Sequence, residues 1–136
     1  MVPTRTIEAG VQAMVRELGY GPAALGRVDK GFARQPEFLR KAAGAGLTIL
    51  AGTDAGMGPT GMVRGEAQLL IEAGLALETA LGGASWTVRS WLGLPGIEKG
   101  APADLVAYRE DPPEDNAVLV NPKLIVLNGR LTTERC

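Results

Sequence analysis

The sequence contains no histidine among its 136 residues, and its one cysteine, Cys136, is the last of them. The missing imidazole excludes a Ser-His-Asp triad, a Cys-His pair and every histidine-based zinc site within this chain. A single terminal cysteine excludes an internal disulfide, cannot form a thiolate metal site and is read as idle. Aromatic residues are scarce, two each of Trp, Tyr and Phe, and 14 Lys and Arg against 15 Asp and Glu leave a net charge of −1. With no basic excess and no basic cluster interleaved with aromatics, nucleic acid is not an expected partner. No apolar run approaches the roughly 18–20 residues that a membrane span needs. The opening residues "MVPTRTIEAG" lack the charged and apolar regions of a signal peptide, so a cytoplasmic location is expected.

Apolar residues make up 46% of the chain, enough for a real core and against disorder. Gly and Pro divide it into segments. Val2-Pro3-Thr4 reads as the end of a strand. Ile7, Val11, Met14, Val15 and Leu18 have helical spacing, with Gly19 as a stop. "GYGPAALGRVDKG" reads as a loop holding at most one helical turn. Pro36 suits the first turn of a further helix ending near Gly44 and Gly46. "LTILAG" is the clearest strand, short and continuously apolar in the manner of a parallel strand covered on both faces. "MVRGEAQLLIEAG" reads as a helix ending at Gly74, with Val63, Ala67, Leu70 and Ile71 on one side. "LALETALGGASWTVRSWLGL" reads as two short helices broken near Gly82-Gly83, with Trp86 and Trp91 packed in or near a core. Beyond Gly93-Leu94-Pro95-Gly96 the pattern turns to strands, "ADLVAYRED" and "KLIVLNGRLTTE", with a hairpin at Asn128-Gly129.

The chemistry centres on "ILAGTDAG". Asp54 lies at the C-terminal end of the apolar run, where α/β and barrel folds gather their strand-to-helix loops and place active sites. A carboxylate there can ligate a metal, or take a proton from bound water and pass it to a leaving group. Asp after Thr and before Ala-Gly also suits an Asx turn or a helix cap, and the local sequence leaves both readings open. Gly52, Gly56 and Gly58 permit close backbone approach to a ligand but lack phosphate-loop spacing. Thr53 is a possible ligand contact whose plainer role is bonding backbone. Asp104 in "PADLV" reads as a turn cap, and the carboxylates of "REDPPED" as solvated.

In order, these pieces resemble the C-terminal portion of the amidohydrolase superfamily, in particular its imidazolonepropionase-like and prolidase-like branch. "AGLTILAGTDAG" is similar to the family's eighth barrel strand and acidic motif, and "LLIEAGLALETALGGAS" to the helix pair that follows. "WLGLPGIEKGAPADLVAY" resembles its glycine turn with Ala-Asp-Leu-Val, and "NPKLIVLNGRL" its closing hairpin. "VPT" resembles the end of the seventh strand.

The resemblance implies an α/β chain comprising the last two βα units of a (β/α)₈ barrel over residues 1–94. Residues 95–136 would be the C-terminal share of a small composite β-sandwich. It implies a metal-dependent hydrolase of carbon–nitrogen bonds, non-peptide or Xaa-Pro-type, with a small-molecule amide or dipeptide as substrate. Asp54 would be both catalytic residue and metal ligand, moving the proton from attacking hydroxide to leaving nitrogen. Thr53, Gly56 and Thr60 would line the substrate side, although Thr60 stands where this branch often has histidine. The cofactor would be a divalent metal, Zn by preference, in the complete enzyme. The family's histidine and lysine ligands are absent here and would precede residue 1. The chain alone is therefore expected to hold no stoichiometric metal, to be inactive, and to self-associate or need a complementing chain. The alternative is a non-catalytic partial barrel serving binding or assembly.

Overall fold

The computed structural model describes residues 1–56, 61–111 and 116–134. It is a mixed α/β structure in two compact units, Met1–Val88 and Arg89–Cys136. The first is helical around a short extended pair, and the second carries a three-stranded antiparallel sheet. Among the described residues no helix is long and apolar enough to cross a membrane.

In the first unit a 3₁₀ turn, Arg5–Ile7, leads into α1, Glu8–Glu17. Gly19, at φ 72°, takes the left-handed conformation that ends a helix cheaply. The helix α2 then runs unbroken over Pro22–Gly44, which overturns both the loop expected at "GYGPAALGRVDKG" and a separate helix beginning at Pro36. Pro22 sits at the helix start, where its fixed φ and missing N–H cost nothing, and Ala23, Ala24 and Leu25 propagate the helix. Pro36 lies in the interior, where the lost hydrogen bond and ring clash cost about 3 kcal/mol. Burial of Leu39 and Ala42 within the next two turns offsets that cost. Gln12 donates to Asp29 at 2.9 Å, joining α1 to α2.

Residues 48–52 and residues 1–4 pair in the parallel sense. The N-terminal amine donates to the Thr48 carbonyl at 2.6 Å. Leu50 N–H donates to the Met1 carbonyl at 2.9 Å, and Gly52 N–H to the Pro3 carbonyl at 3.1 Å. Donation on both sides of Met1, to position 48 and from position 50, is the slanted parallel pattern. Pro3 has no N–H to continue it, and neither segment becomes a regular strand, contrary to the strand expected at "LTILAG". The apolar run is still central, since Ile49 and Leu50 are both buried.

The helix α3, Val63–Glu72, ends as expected before Gly74, whose φ is 92°. Arg40 from α2 donates to the Ala73 carbonyl at 2.7 Å, satisfying one of the orphan acceptors at that helix end. The helix α4, Leu77–Gly83, brings Gly83 against the extended run, where its carbonyl accepts Ala51 N–H at 3.0 Å. The core joins Leu39, Ala42, Ile49, Leu70, Ala73, Leu75 and Ala80.

A Cβ at Gly83 would lie 2.8 Å from the Ile49 carbonyl oxygen and 3.3 Å from the Ala51 nitrogen. Both are backbone atoms that no rotamer change can move aside. Gly83→Ala is expected to destabilise the unit by about 1–3 kcal/mol, the usual cost of overpacking. Gly26→Ala, inside α2 with nothing within 4 Å, is expected to stabilise it by up to about 1 kcal/mol. Thermal melts of the two variants should move in opposite directions; a common direction would refute the close approach at Gly83.

The helix α5, Trp86–Trp91, crosses the boundary between the units. Trp86 and Trp91 are 49% and 67% exposed, so the core role expected for them is not found. A six-residue helix offers less than two turns in which to bury a ring. In the second unit Ala101 N–H closes a turn onto the Glu98 carbonyl at 3.2 Å. β1 (Leu105–Ala107), β2 (Leu124–Leu127) and β3 (Arg130–Glu134) follow as an antiparallel sheet in chain order. Asn128 and Gly129 turn between β2 and β3 at φ 49° and 71°, as a type I′ hairpin requires. Asp104 caps that turn by accepting Asn128 N–H at 2.7 Å. A register shift at Ile125/Val126 is accompanied by the Thr132 hydroxyl donating to the Ile125 carbonyl at 3.0 Å.

Candidate active site

Asp54 follows the paired run within two residues of Gly52, and so stands at its C-terminal end, as expected. Its side chain is exposed, and its φ of 45° is in the left-handed region, unusual for any residue but glycine. Asp tolerates that conformation better than most side chains because a short polar group can bond locally. Positive φ at a non-glycine residue costs on the order of 1–3 kcal/mol and recurs at functional sites. The turn geometry and an outward carboxylate thus coexist at one residue. Thr53 is half-buried beside it, and Gly56 is exposed in the turn that follows. Thr60 and Gly58 lie outside the described residues.

The approach to Asp54 is built by Gly52. A Cβ there would lie 2.7 Å from Val2 Cγ1 and 3.1 Å from the Pro3 carbonyl oxygen, so only glycine lets the two segments come this close.

The described residues do not assemble a metal site: no group of three or more Cys, Asp or Glu side chains among them could hold an ion. Asp54 is exposed and stands outside any such cluster. A zinc site takes three or four protein ligands, so this donor set does not fit one by itself.

A buried carboxylate was not anticipated from the sequence. Glu66, in the first turn of α3, is 0% exposed. One of its oxygens, Oε2, accepts Thr6 N–H at 2.9 Å. The other, Oε1, has no partner among the described residues, nor do the neighbouring Thr6 hydroxyl and Arg5 Nε. Negative charge in a first helical turn is favoured by the helix dipole. The sequence did carry a signal. Glu66 precedes Leu70 by four residues and Ala73 by seven, which puts it on the buried face of α3.

No protein-family model matches the chain. Proteins of Mycobacterium tuberculosis and Mycobacterium bovis, both uncharacterized, are each 34% identical to it over 131 residues. The alignment covers 96% of this chain and 35% of theirs, so the chain spans about a third of the length of the curated relatives it matches. Among solved structures, it superposes on a prolidase complexed with N-methylphosphonate-L-proline with a TM-score of 0.76 and 26% identity, over 98% of this chain and 35% of that one. A Xaa-Pro dipeptidase with methionine in its active site gives a TM-score of 0.73 and 28% identity, over 96% of this chain and 34% of that one. An amidohydrolase at 20% identity and TM-score 0.74, over 98% of this chain and 34% of that one, shares the fold. The resemblance to an amidohydrolase-superfamily portion is borne out over nearly the whole chain, and these neighbours are hydrolases.

Proposed function

We propose that the chain is the Asp54-bearing portion of a hydrolase of carbon–nitrogen bonds, of the Xaa-Pro or non-peptide type. In this reading residues 1–94 are the last two βα units of a (β/α)₈ barrel, and residues 95–136 are the C-terminal share of a β-sandwich. The parallel pairing of residues 1–4 with residues 48–52 supports the barrel assignment. The observation that carries the function is the exposed Asp54 carboxylate at the end of that pair, in a chain similar to a prolidase and a Xaa-Pro dipeptidase. Asp54 would accept the proton of the attacking water and return it to the leaving nitrogen. Thr53, Gly56 and Thr60 would line the substrate side.

The remaining groups of such a site, including the ligands of any divalent metal, would come from outside this chain. Purified alone, the chain is expected to retain no stoichiometric zinc after dialysis and to hydrolyse no amide or dipeptide above background. Metal analysis, followed by assay of Xaa-Pro dipeptides and cyclic amides with added Zn²⁺ or Mn²⁺, tests this. One tightly held equivalent with turnover would refute it. Turnover that appears only with a complementing chain would support the reading. A second reading is a non-catalytic assembly module, in which the outer edges of the pair formed by residues 1–4 and 48–52 would be covered by another copy or a complementing chain. Self-association without activity under any complementation would establish that reading instead.

A further inference from the structure

We infer that the Gly82-Gly83 turn at the end of α4 is an edge guard: it keeps the strand edge of residues 48–52 from pairing with a second copy of this chain. The inference is independent of any role for Asp54. Leu50 and Gly52 turn their N–H groups toward residues 1–4, where the Met1 and Pro3 carbonyls accept them at 2.9 and 3.1 Å. Alternate residues of an extended run face opposite ways, so the N–H groups and carbonyls of Ile49 and Ala51 point to the other side. A row of unpaired backbone groups there would be a template for edge-to-edge association.

Gly83 sits on that row. In a parallel pair, one residue of the neighbour donates to the carbonyl before the residue it faces and accepts the N–H after it. Met1 does this on one side of the run, donating to the Thr48 carbonyl and accepting Leu50 N–H. On the other side Gly83 accepts Ala51 N–H at 3.0 Å, and a Cβ on it would lie 2.8 Å from the Ile49 carbonyl oxygen. Gly83 therefore stands where a neighbouring strand would face Leu50. It belongs to a helix, so it fills the position without extending the ladder.

The turn is also held from behind. A Cβ at Gly82 would lie 2.8 Å from Trp86 Nε1 and 2.6 Å from Thr87 Oγ1, so the indole and the hydroxyl close over it. This gives the half-exposed Trp86 a task other than filling a core. Two consecutive glycines let one turn be pressed between the strand edge and the ring. A strand that adds opposite Leu50 must first take Ala51 N–H from Gly83.

Amide hydrogen exchange by NMR, on dilute and concentrated samples of the 136-residue chain, tests this together with sedimentation. In the wild type, Ala51 should exchange as slowly as Leu50, at a rate independent of concentration. Open-chain exchange at Ala51, or protection that rises with concentration, would overturn the proposal. In dilute Gly83→Ala, where the added Cβ forces the turn away, Ala51 protection should fall about tenfold or more, while Leu50 and Leu70 hold. On concentration Ala51 should regain protection as dimers or larger species sediment. Unchanged Ala51 protection in this variant would overturn the proposal, and so would a loss that concentration does not restore. If Gly83→Ala also strips Leu70 of protection, Trp86→Ala decides, since it removes the backing ring and adds no atom. It should show the same concentration-dependent loss and recovery at Ala51, to a smaller extent. Wild-type exchange at Ala51 in that variant would show that the turn guards nothing.

Discussion

Asp54→Asn is expected to lower hydrolysis by the complemented enzyme about 10²–10⁴-fold, the usual contribution of a positioned acid–base group. The same substitution should leave the fold within about 0.5 kcal/mol of wild type. The separation follows from the backbone. At φ 45° the residue occupies the left-handed region, and Asn is, with Asp, one of the few side chains at ease there. The side chain is exposed, so no buried charge is removed. Asp54→Ala would confound the two effects, because it adds a left-handed cost of up to about 1–2 kcal/mol to the loss of the carboxylate. The measurement is kcat and kcat/KM for a Xaa-Pro dipeptide, with urea titrations of both variants in parallel. Wild-type turnover by Asp54→Asn would end the assignment of Asp54 as the proton carrier. A loss of turnover matched by a loss of stability would show that the residue serves only the turn.

The local punctuation of this chain could be read directly from its residues. Gly19 and Gly74 end helices at positive φ, and Asn128-Gly129 makes the turn that its two positive φ values require. Each depends on one or two residues and their own backbone preferences. Long-range effects were not legible. Pro36 should start a helix on local preference, yet α2 runs through it because Leu39 and Ala42 find a core beyond it. The apolar run at residues 48–52 signals a strand, but its regularity depends on a partner, and that partner has a proline at position 3. The site was half legible. Asp54 stands out as a carboxylate after an apolar run. Glu66 looks like any acidic residue on a helix until its four-residue spacing from Leu70 is set against the observed burial.

Leu70→Ala is expected to cost the first unit about 2–5 kcal/mol, the usual range for truncating a fully buried leucine. That core has four large members, Leu39, Ile49, Leu70 and Leu75, and its other buried residues are alanines. Leu70 is 0% exposed, and it touches a cluster too small to close over the gap by moving one bulky neighbour. At about 0.05–0.15 kcal/mol per residue, a unit of this length has a net stability of roughly 4–13 kcal/mol. The substitution therefore removes a large fraction of it and leaves the helical unit partly unfolded near room temperature if the true value is at the lower end. Phe38→Ala deletes a larger side chain one position before Leu39, but Phe38 is 59% exposed, so its removal should cost no more than about 0.5 kcal/mol. Urea titrations followed by far-UV circular dichroism suit the comparison, because α1 to α4 all lie in this unit. Tryptophan fluorescence does not, since Trp86 and Trp91 are already exposed in the fold. Leu70→Ala should lower the midpoint with the slope unchanged. Equal midpoints for the two variants would mean that α3 is not packed into this core through Leu70.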